Sequence, residues 1–218
     1  MSPERISELL QPFLASGMEL NKNQLNNISI YIDILLKWNA RMNLTAVRQP
    51  EEIVQRHFGE SLFAARQLFP DGMPHEKTSR VLDIGSGAGF PGLPIKIWAS
   101  QVQLILIESN QKKATFLREV ARALTMTDVD VLGVRAENYD GHADVVTLRA
   151  VEQYDVVLPI AAEKIATLGR LVLLIGNAQT AKARILAPLQ WQEPIGVPGS
   201  SNRVLLIGRR SLNNKESD

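Results

Sequence analysis

A chain of 218 residues, 45% of them hydrophobic, can bury a full core, and its length allows one large domain or one domain with an appendage. It holds no cysteine and carries a net charge of only +1. Disulfides, thiolate metal sites and covalent cysteine catalysis are thereby excluded, and any nucleic-acid contact must use a local basic patch. Glu4, Arg5 and Glu8 interrupt the N-terminal apolar residues, and no apolar run approaches ~18 residues, so neither an export signal nor a membrane span is expected and the expected compartment is the cytoplasm.

Residues 1–72 read as a helical cap. Ser2-Pro3-Glu4 suits a helix start, with Ile6, Leu9, Leu10 and Phe13 on one face and an end near Gly17. Asn21 and Gln24 have the spacing of a capping box. Beyond them Leu25, Ile28, Ile32, Leu35 and Met42 recur at helical spacing beside Tyr31, Ile34 and Trp38, a stripe broad enough to require burial. A third helix starts at Gln49-Pro50-Glu51-Glu52 and runs through Ile53, Val54 and Phe58 to Phe69, with a break expected at Gly59. Pro70-Asp71-Gly72 and the polar residues 74–79 then mark a boundary.

From Arg80 the pattern alternates, as expected of an α/β domain over residues 80–210. Strands are predicted at 80–84, 103–108, 129–134, 143–148 and 171–175. Between them lie a helix after a glycine-rich loop, a helix over Gln111–Leu124, a short segment at Glu137, and a helix over Tyr154–Leu168 kinked at Pro159. A further helix is expected over Asn177–Leu186. Gln190–Val197 and Arg203–Gly208, joined by Pro198-Gly199-Ser200-Ser201, predict an antiparallel pair that closes a mostly parallel sheet of about seven strands. Residues 211–218 read as a polar tail.

The loop is the most informative stretch. Val81, Leu82 and Ile84 form an apolar strand that breaks into Gly85-Ser86-Gly87-Ala88-Gly89, where missing Cβ atoms let the backbone turn tightly and approach a ligand. A helix from Leu93 would aim its unpaired N–H groups at that ligand. Gly87-x-Gly89-x-x-Gly92 formally matches the dinucleotide fingerprint, so NAD is a candidate. Asp83 argues against it, because a carboxylate at the strand end repels a pyrophosphate but can hold, directly or through water, the ammonium of a methionine moiety. Glu108, at the end of the next apolar run, suits both hydroxyls of an unphosphorylated ribose. S-adenosylmethionine has that ribose and that ammonium and no phosphate, so it is favoured over NAD and over a purely structural turn.

Several segments then come together: Trp38-Asn39 with Asn43-Leu44-Thr45, Arg56-His57-Phe58-Gly59-Glu60-Ser61, Asp83 to Ile97, Glu108-Ser109 with Lys112-Lys113 and Phe116-Leu117, Arg135-Ala136-Glu137, and Arg149-Ala150. In this order, over roughly residues 25 to 175, the chain resembles the 16S rRNA guanine-N7 methyltransferase family, also called glucose-inhibited division protein B or RsmG. The resemblance implies a Rossmann-like, class I S-adenosylmethionine-dependent methyltransferase fold with an N-terminal helical extension. It further implies methylation of N7 of a guanine in 16S rRNA, free or in the small ribosomal subunit, by a monomer. Cofactor contacts are implied at Gly85, Phe90, Glu108, Ser109, Asn110, Ala136, Glu137 and Arg149, beside Asp83 and Gly87 from the loop itself, with Arg149 also serving catalysis and with no metal site. Arg149 closes its strand at the carboxyl edge where sheet ligands sit, and can there touch both cofactor and substrate; the alternative is a strand-end ion pair. Ile175 stands where the family has a Lys, and Leu148 where it has a small polar residue.

The remaining candidates have plain alternatives. Trp38 lies on an apolar helix face and is expected in the core rather than stacked on a base. His57 is either a hydrogen-bonded helix residue or a site residue. Lys112, Lys113, Arg118 and Arg122 form a basic face that is expected to be solvated. Methylation of pyrimidine C5 needs a cysteine nucleophile, and amino-group methylation usually shows an Asp/Asn-Pro-Pro-aromatic turn where this chain has Thr147-Leu148-Arg149-Ala150. Two further readings stay open: a cofactor-binding assembly factor, and an NAD-dependent oxidoreductase.

Overall fold

A computed structural model describes residues 1–73, 79–151, 153–187 and 189–210; the expected tail at 211–218 and most of the connector after Met73 lie outside them. Helix α1 spans Pro3–Leu10, with the Ser2 hydroxyl accepting from the Arg5 N–H at 3.3 Å. Helix α2, Lys22–Asn39, starts with the expected capping box: the Gln24 N–H donates to Asn21 Oδ1 at 3.0 Å and the Asn21 N–H to Gln24 Oε1 at 2.9 Å. Gln24 also donates from Nε2 to the carbonyl of Ile97, 3.0 Å away, so the start of α2 is fixed to the sheet domain by the residue that caps it.

The third helix differs from its expectation. Short α3, Pro50–Ile53, continues without a break through a π turn, Val54–Gly59, into α4, Glu60–Leu68. Gly59 keeps helical φ and ψ of −56° and −53°. It is needed for space, because a Cβ there would lie 2.6 Å from the ring of buried Phe13. A π turn carries one extra residue and rotates the side chains after it, and such turns are frequent at functional sites.

The sheet is built from β1 Arg80–Ile84, β2 Gln103–Ile107, β3 Val129–Leu132, β4 Ala143–Arg149, β5 Ile165–Gly176, β6 Gln190–Trp191, β7 Ile195–Gly196 and β8 Arg203–Arg209. The order is β3-β2-β1-β4-β5-β8-β6, with β7 also on β8; the first five strands are parallel and β8 runs antiparallel to β5. Helices α5 (Gly92–Trp98), α6 (Gln111–Ala123), α7 (Tyr154–Glu163) and α8 (Thr180–Leu186) fill the connections. The expected arm 190–197 is thus two short pieces, split around Pro194, which has no N–H for the ladder. Pro159 is inside α7 and does not end it. The helix stops at Glu163, five residues early, because Ile165 already pairs with Ala143; a bulge then shifts the register to Val145 opposite Arg170, with Leu168 at φ +64° and exposed.

Alternation along the strands divides the core in two. Val81, Leu104, Leu106, Val145, Val172 and Leu174 face the N-terminal helices, α5 and α6. Leu82, Ile105, Val146, Leu148, Leu173 and Ile175 face α7 and α8. Period two then puts Asp83, Thr147 and Arg149 on the side of the N-terminal helices, while Leu148 and Ile175 point to the other side, into apolar surroundings that match them.

Adding one methyl group at the π turn tests this packing. Gly59→Ala is expected to lower stability by about 1–3 kcal/mol, the usual range for overpacking, because the Phe13 ring must move. A urea unfolding midpoint equal to the parental one would show that the contact is loose.

Candidate functional site

The carboxyl ends of β1, β2 and β4 meet at the glycine loop. Gly85, Gly87 and Gly89 all take positive φ, at 68°, 55° and 87°, the left-handed region that favours glycine. The turn is fixed from below: the N–H groups of Gly85 and Ser86 both donate to the Ile107 carbonyl at 2.9 and 3.0 Å, and the Ser86 hydroxyl donates to the Asp83 carbonyl at 2.9 Å. From the helical side, the Tyr31 hydroxyl of α2 donates to the Ala88 carbonyl.

The three glycines of the apparent dinucleotide pattern do different work. A Cβ on Gly89 would run into Leu93 at 2.6 Å, and one on Gly92 into Leu106 at 2.6 Å and the Asp83 carboxylate at 2.8 Å. Those two are small for internal packing. A Cβ on Gly87 would meet only the Gly85 carbonyl, at 3.7 Å, so Gly87 borders open space where a ligand can lie against the backbone.

Asp83 is 1% exposed. Its Oδ1 accepts from the Thr147 hydroxyl at 2.7 Å and its Oδ2 from the Gly92 N–H at 3.3 Å. Burial pushes its carboxyl up to about 6 despite these hydrogen bonds. The first N–H of α5 is therefore satisfied by Asp83, under the loop. Glu108 lies at the lip instead: Oε2 accepts from the Gly87 N–H at 2.9 Å and Oε1 from the Asn110 N–H at 2.8 Å. A carboxylate already on Gly87 opposes a pyrophosphate at that N–H and can accept hydroxyl donors in its place. Ser109 and Asn110 are exposed beside it, and the Asn110 side chain caps α6 by accepting from the N–H groups of Lys112 and Lys113 at 3.0 and 3.2 Å. Ala136 is buried and Glu137 exposed in a single 3-10 turn, Ala136–Asn138, after β3.

Arg149 reaches the π turn. Its Nη2 lies 2.8 Å from the Arg56 carbonyl, 3.0 Å from His57 Nδ1 and 3.1 Å from Glu60 Oε2. The strand-end ion pair therefore exists, but it is made inward to a 2% exposed carboxylate. Arg203 of β8 stands on the other side of that carboxylate, its Nη2 2.7 Å from Oε1 as an ion pair without hydrogen-bond alignment. Arg56 adds a weaker favourable field at Glu60 while its own guanidinium pairs with Glu52 at 3.3 Å, so two cations contact this one buried anion. Phe90, implied as a cofactor contact, packs in an aromatic cluster. It stacks on Tyr31 at 5.4 Å, meets Phe58 edge-on at 5.1 Å, and lies 5.8 Å beneath the Arg149 guanidinium.

Tyr31, Thr147, Glu60 and Arg203 were not singled out from the sequence. Tyr31 and Thr147 read as ordinary helix-face and strand residues. Glu60 alone carried a signal, a carboxylate on an otherwise apolar helix face, which needs a cationic partner. His57 resolves to a hydrogen-bonded, buried imidazole. With Nδ1 accepting from Arg149, the ring proton must be on Nε2, which donates to Thr45 Oγ1 at 2.7 Å.

Burial first, and then the cations Arg149, Arg56 and Arg203, lower the His57 pKa from 6.5 to about 3. As the pH falls, the unfolded chain takes up this proton before the folded one does. The stability from neutral His57 is therefore fully present above about 6.5 and is lost as the pH falls towards 3. Asp83, raised from 3.8 to about 6, has the opposite sign and favours the fold as the pH falls, so only a difference between variants isolates the histidine. The stability gap between the parental protein and His57→Gln is expected to shrink steadily in urea unfolding from pH 7 to 4. A gap that stays constant would mean that the folded imidazole titrates normally.

A family model described as rRNA small subunit methyltransferase G matches residues 24–188. Proteins named ribosomal RNA small subunit methyltransferase G from Roseiflexus castenholzii and Xylella fastidiosa are 36% and 32% identical to this chain, each over 216 residues. The first alignment covers 93% of this chain and 90% of the relative, the second 96% and 97%. Among solved structures, magnesium protoporphyrin IX methyltransferase (ChlM) from Synechocystis PCC 6803 with bound SAM superposes with a TM-score of 0.65 at 14% identity, covering 85% of this chain and 97% of that one. That likeness shows the class I methyltransferase fold. The matched span runs from α2 across the glycine loop and Arg149 to α8, and on it the chain belongs to the rRNA small subunit methyltransferase G family.

Proposed function

We propose that the chain transfers a methyl group from S-adenosylmethionine to N7 of a guanine in 16S rRNA, with the substrate held between the carboxyl edge of the sheet and the N-terminal helices, residues 1–72. Family membership makes it an S-adenosylmethionine-dependent rRNA methyltransferase. The observation that carries the cofactor reading is Glu108, a carboxylate on the Gly87 N–H beside the open face of the loop. Among the described residues no helix is long and apolar enough to cross a membrane, which fits a protein working in the cytoplasm, and we assign it a monomer there. The assembly-factor alternative drew on Ile175, and that side chain is buried on the opposite side of the sheet from Arg149.

The residues divide the work. Glu108 would hold the ribose hydroxyls, and Ser109, Asn110, Ala136 and Glu137 would border the adenosine. Gly87 would let the backbone approach, Gly85 would border the cofactor beside Val151, which a Cβ there would meet at 2.9 Å, and Asp83 and Phe90 fix the loop from beneath. When bound, the cofactor supplies an electrophilic methyl on a sulfonium. Guanine N7 carries an in-plane lone pair in the neutral base, so no side chain has to remove a proton, and the protein contributes alignment and tolerance of the charge that moves onto the purine. Arg149, anchored by the π turn, would orient the guanine or its phosphate through the rest of its guanidinium.

Incubation of 16S rRNA with methyl-labelled donor should place the label on guanine N7. Gly87→Val should abolish both labelling and calorimetric binding of the donor, since its side chain enters the open face and valine strains at φ +55°. Micromolar binding of NAD with none of S-adenosylmethionine would end this reading.

Arg149→Lys keeps one charge but loses the fork. Single-turnover methylation by the folded variant is expected to slow at least about tenfold, ~1.4 kcal/mol. Glu60→Gln, which weakens the same ion pair while leaving Arg149 in place, should lower the melting temperature with a smaller loss of rate. Equal losses of rate in the two would make Arg149 a purely structural residue.

A further inference from the structure

Beside the glycine loop, on the sheet face covered by the N-terminal helices, α2 and α6 diverge to leave a groove of about 480 Å³ lined by Lys37, Trp38, Arg41, Met42, Lys112 and Glu119. Its volume is that of a small-ligand cleft. Trp38 is half-buried and lines the groove, held in place by the Phe116 ring at 5.7 Å and 65°. Lys37, Arg41 and Lys112 are exposed, and none of them is in an ion pair among the described residues. Three free cations against Glu119 leave the groove positive.

Lys37 and Arg41 at the end of α2 could be there only for the helix dipole, which favours cations at a C-terminus. Lys112 cannot, because it is in the first turn of α6, where the dipole disfavours a cation. The three converge around one aromatic floor from helix ends of opposite polarity, and that arrangement suits a polyanion carrying planar groups. An RNA duplex would offer only a shallow minor groove and stacked bases, whereas an unpaired nucleotide can place its base on an aromatic ring and its phosphates on flanking cations.

We propose that this groove binds one unpaired nucleotide of the rRNA substrate, its base on Trp38 and Met42, its neighbouring phosphates on Lys37, Arg41 and Lys112, and Glu119 accepting from the base edge. The proposal rests on the methyltransferase reading above and adds a second contact point to it. Lys112 adjoins the cofactor edge, since its backbone N–H is capped by Asn110. A nucleotide held here would therefore set which guanine reaches the loop.

The test uses full-length protein and deproteinised 16S rRNA, with affinity measured against KCl concentration. The triple variant Lys37→Gln, Arg41→Gln, Lys112→Gln alters only exposed side chains. It should bind at least tenfold more weakly, and its slope of log affinity against log salt should fall by about two, at roughly 0.7 per phosphate contact on a single strand. Trp38→Leu should weaken binding by about fivefold to a hundredfold, the range for loss of one stacked base, with the salt slope unchanged. In both, calorimetric binding of S-adenosylmethionine and the methylation rate at saturating rRNA should stay within about threefold of parental. A triple variant with parental affinity and slope overturns the groove while leaving the methyltransferase reading intact, whatever Trp38→Leu does to folding. If the parental protein itself neither binds nor methylates the rRNA, the functional reading falls, and the groove with it.

Discussion

Asp83 is buried, its carboxylate enclosed between the Thr147 hydroxyl of the neighbouring strand and the Gly92 N–H that opens α5. Desolvation outweighs these hydrogen bonds and leaves the group harder to ionise than a free carboxylate. Much of the site hangs on this arrangement. It ties β1 to β4 at the register Asp83–Thr147, and it fixes where α5 begins. With both ends of the loop held, Gly85 to Gly89 have one path between them, and that path leaves the Gly87 backbone facing outward. An apolar residue at 83 would leave the Gly92 N–H without its side-chain acceptor and the Thr147 hydroxyl with only the Leu82 carbonyl at 3.5 Å, which is what the costly buried acid offsets.

The second constraint joins the helices to the same edge. Strand alternation sends Arg149 towards the N-terminal helices, where the π turn presents a backbone carbonyl and a neutral imidazole, and the first residue of α4 a buried carboxylate, to one guanidinium nitrogen. His57 can accept from an arginine only while it is unprotonated, so burial and the surrounding cations are part of the contact. The aromatic series Trp38, Phe116, Tyr31, Phe90 and His57 continues this link from the α2–α6 groove to the π turn, with ring centroids between 4.9 and 6.3 Å apart. Helical cap and loop are thus one mechanical unit, and motion of α2 would be felt at the Ala88 carbonyl through the Tyr31 hydroxyl.

Much of this is legible in the sequence. The capping box at Asn21, the parallel strands, the glycine loop and the antiparallel close follow from local rules that tertiary packing did not override. The failures share a cause: they are places where a distant residue decides. Gly59 read as a helix break because glycine is a poor helix former, whereas its role is to admit Phe13 from another helix. Helix α7 ends before its helical pattern does because Ile165 is claimed by Ala143 on a strand distant in sequence. Phe90 is a cofactor contact by resemblance alone, and its packing on Tyr31 of α2 and Phe58 of the π turn is likewise beyond any local rule. The charge group fared the same way. Glu60, Arg149 and Arg203 come from a helix and two strands, and no spacing rule relates them.

The glycine pattern shows how a matching motif can mislead while the residues beside it inform. Two of its three glycines are explained inside the protein, by Leu93 on one side and by Asp83 and Leu106 on the other, so the match to a dinucleotide fingerprint counts one ligand-facing position rather than three. At that position the chain puts Glu108 on the backbone N–H that a phosphate would need. A phosphate and this carboxylate compete for the same donor and repel each other, whereas a ribose donates hydroxyl protons that a carboxylate accepts. The discrimination between cofactors therefore lies in the sign of the charge next to the loop, and the two acids at the strand ends, one beneath it and one at its lip, are better evidence of chemistry than the glycines between them.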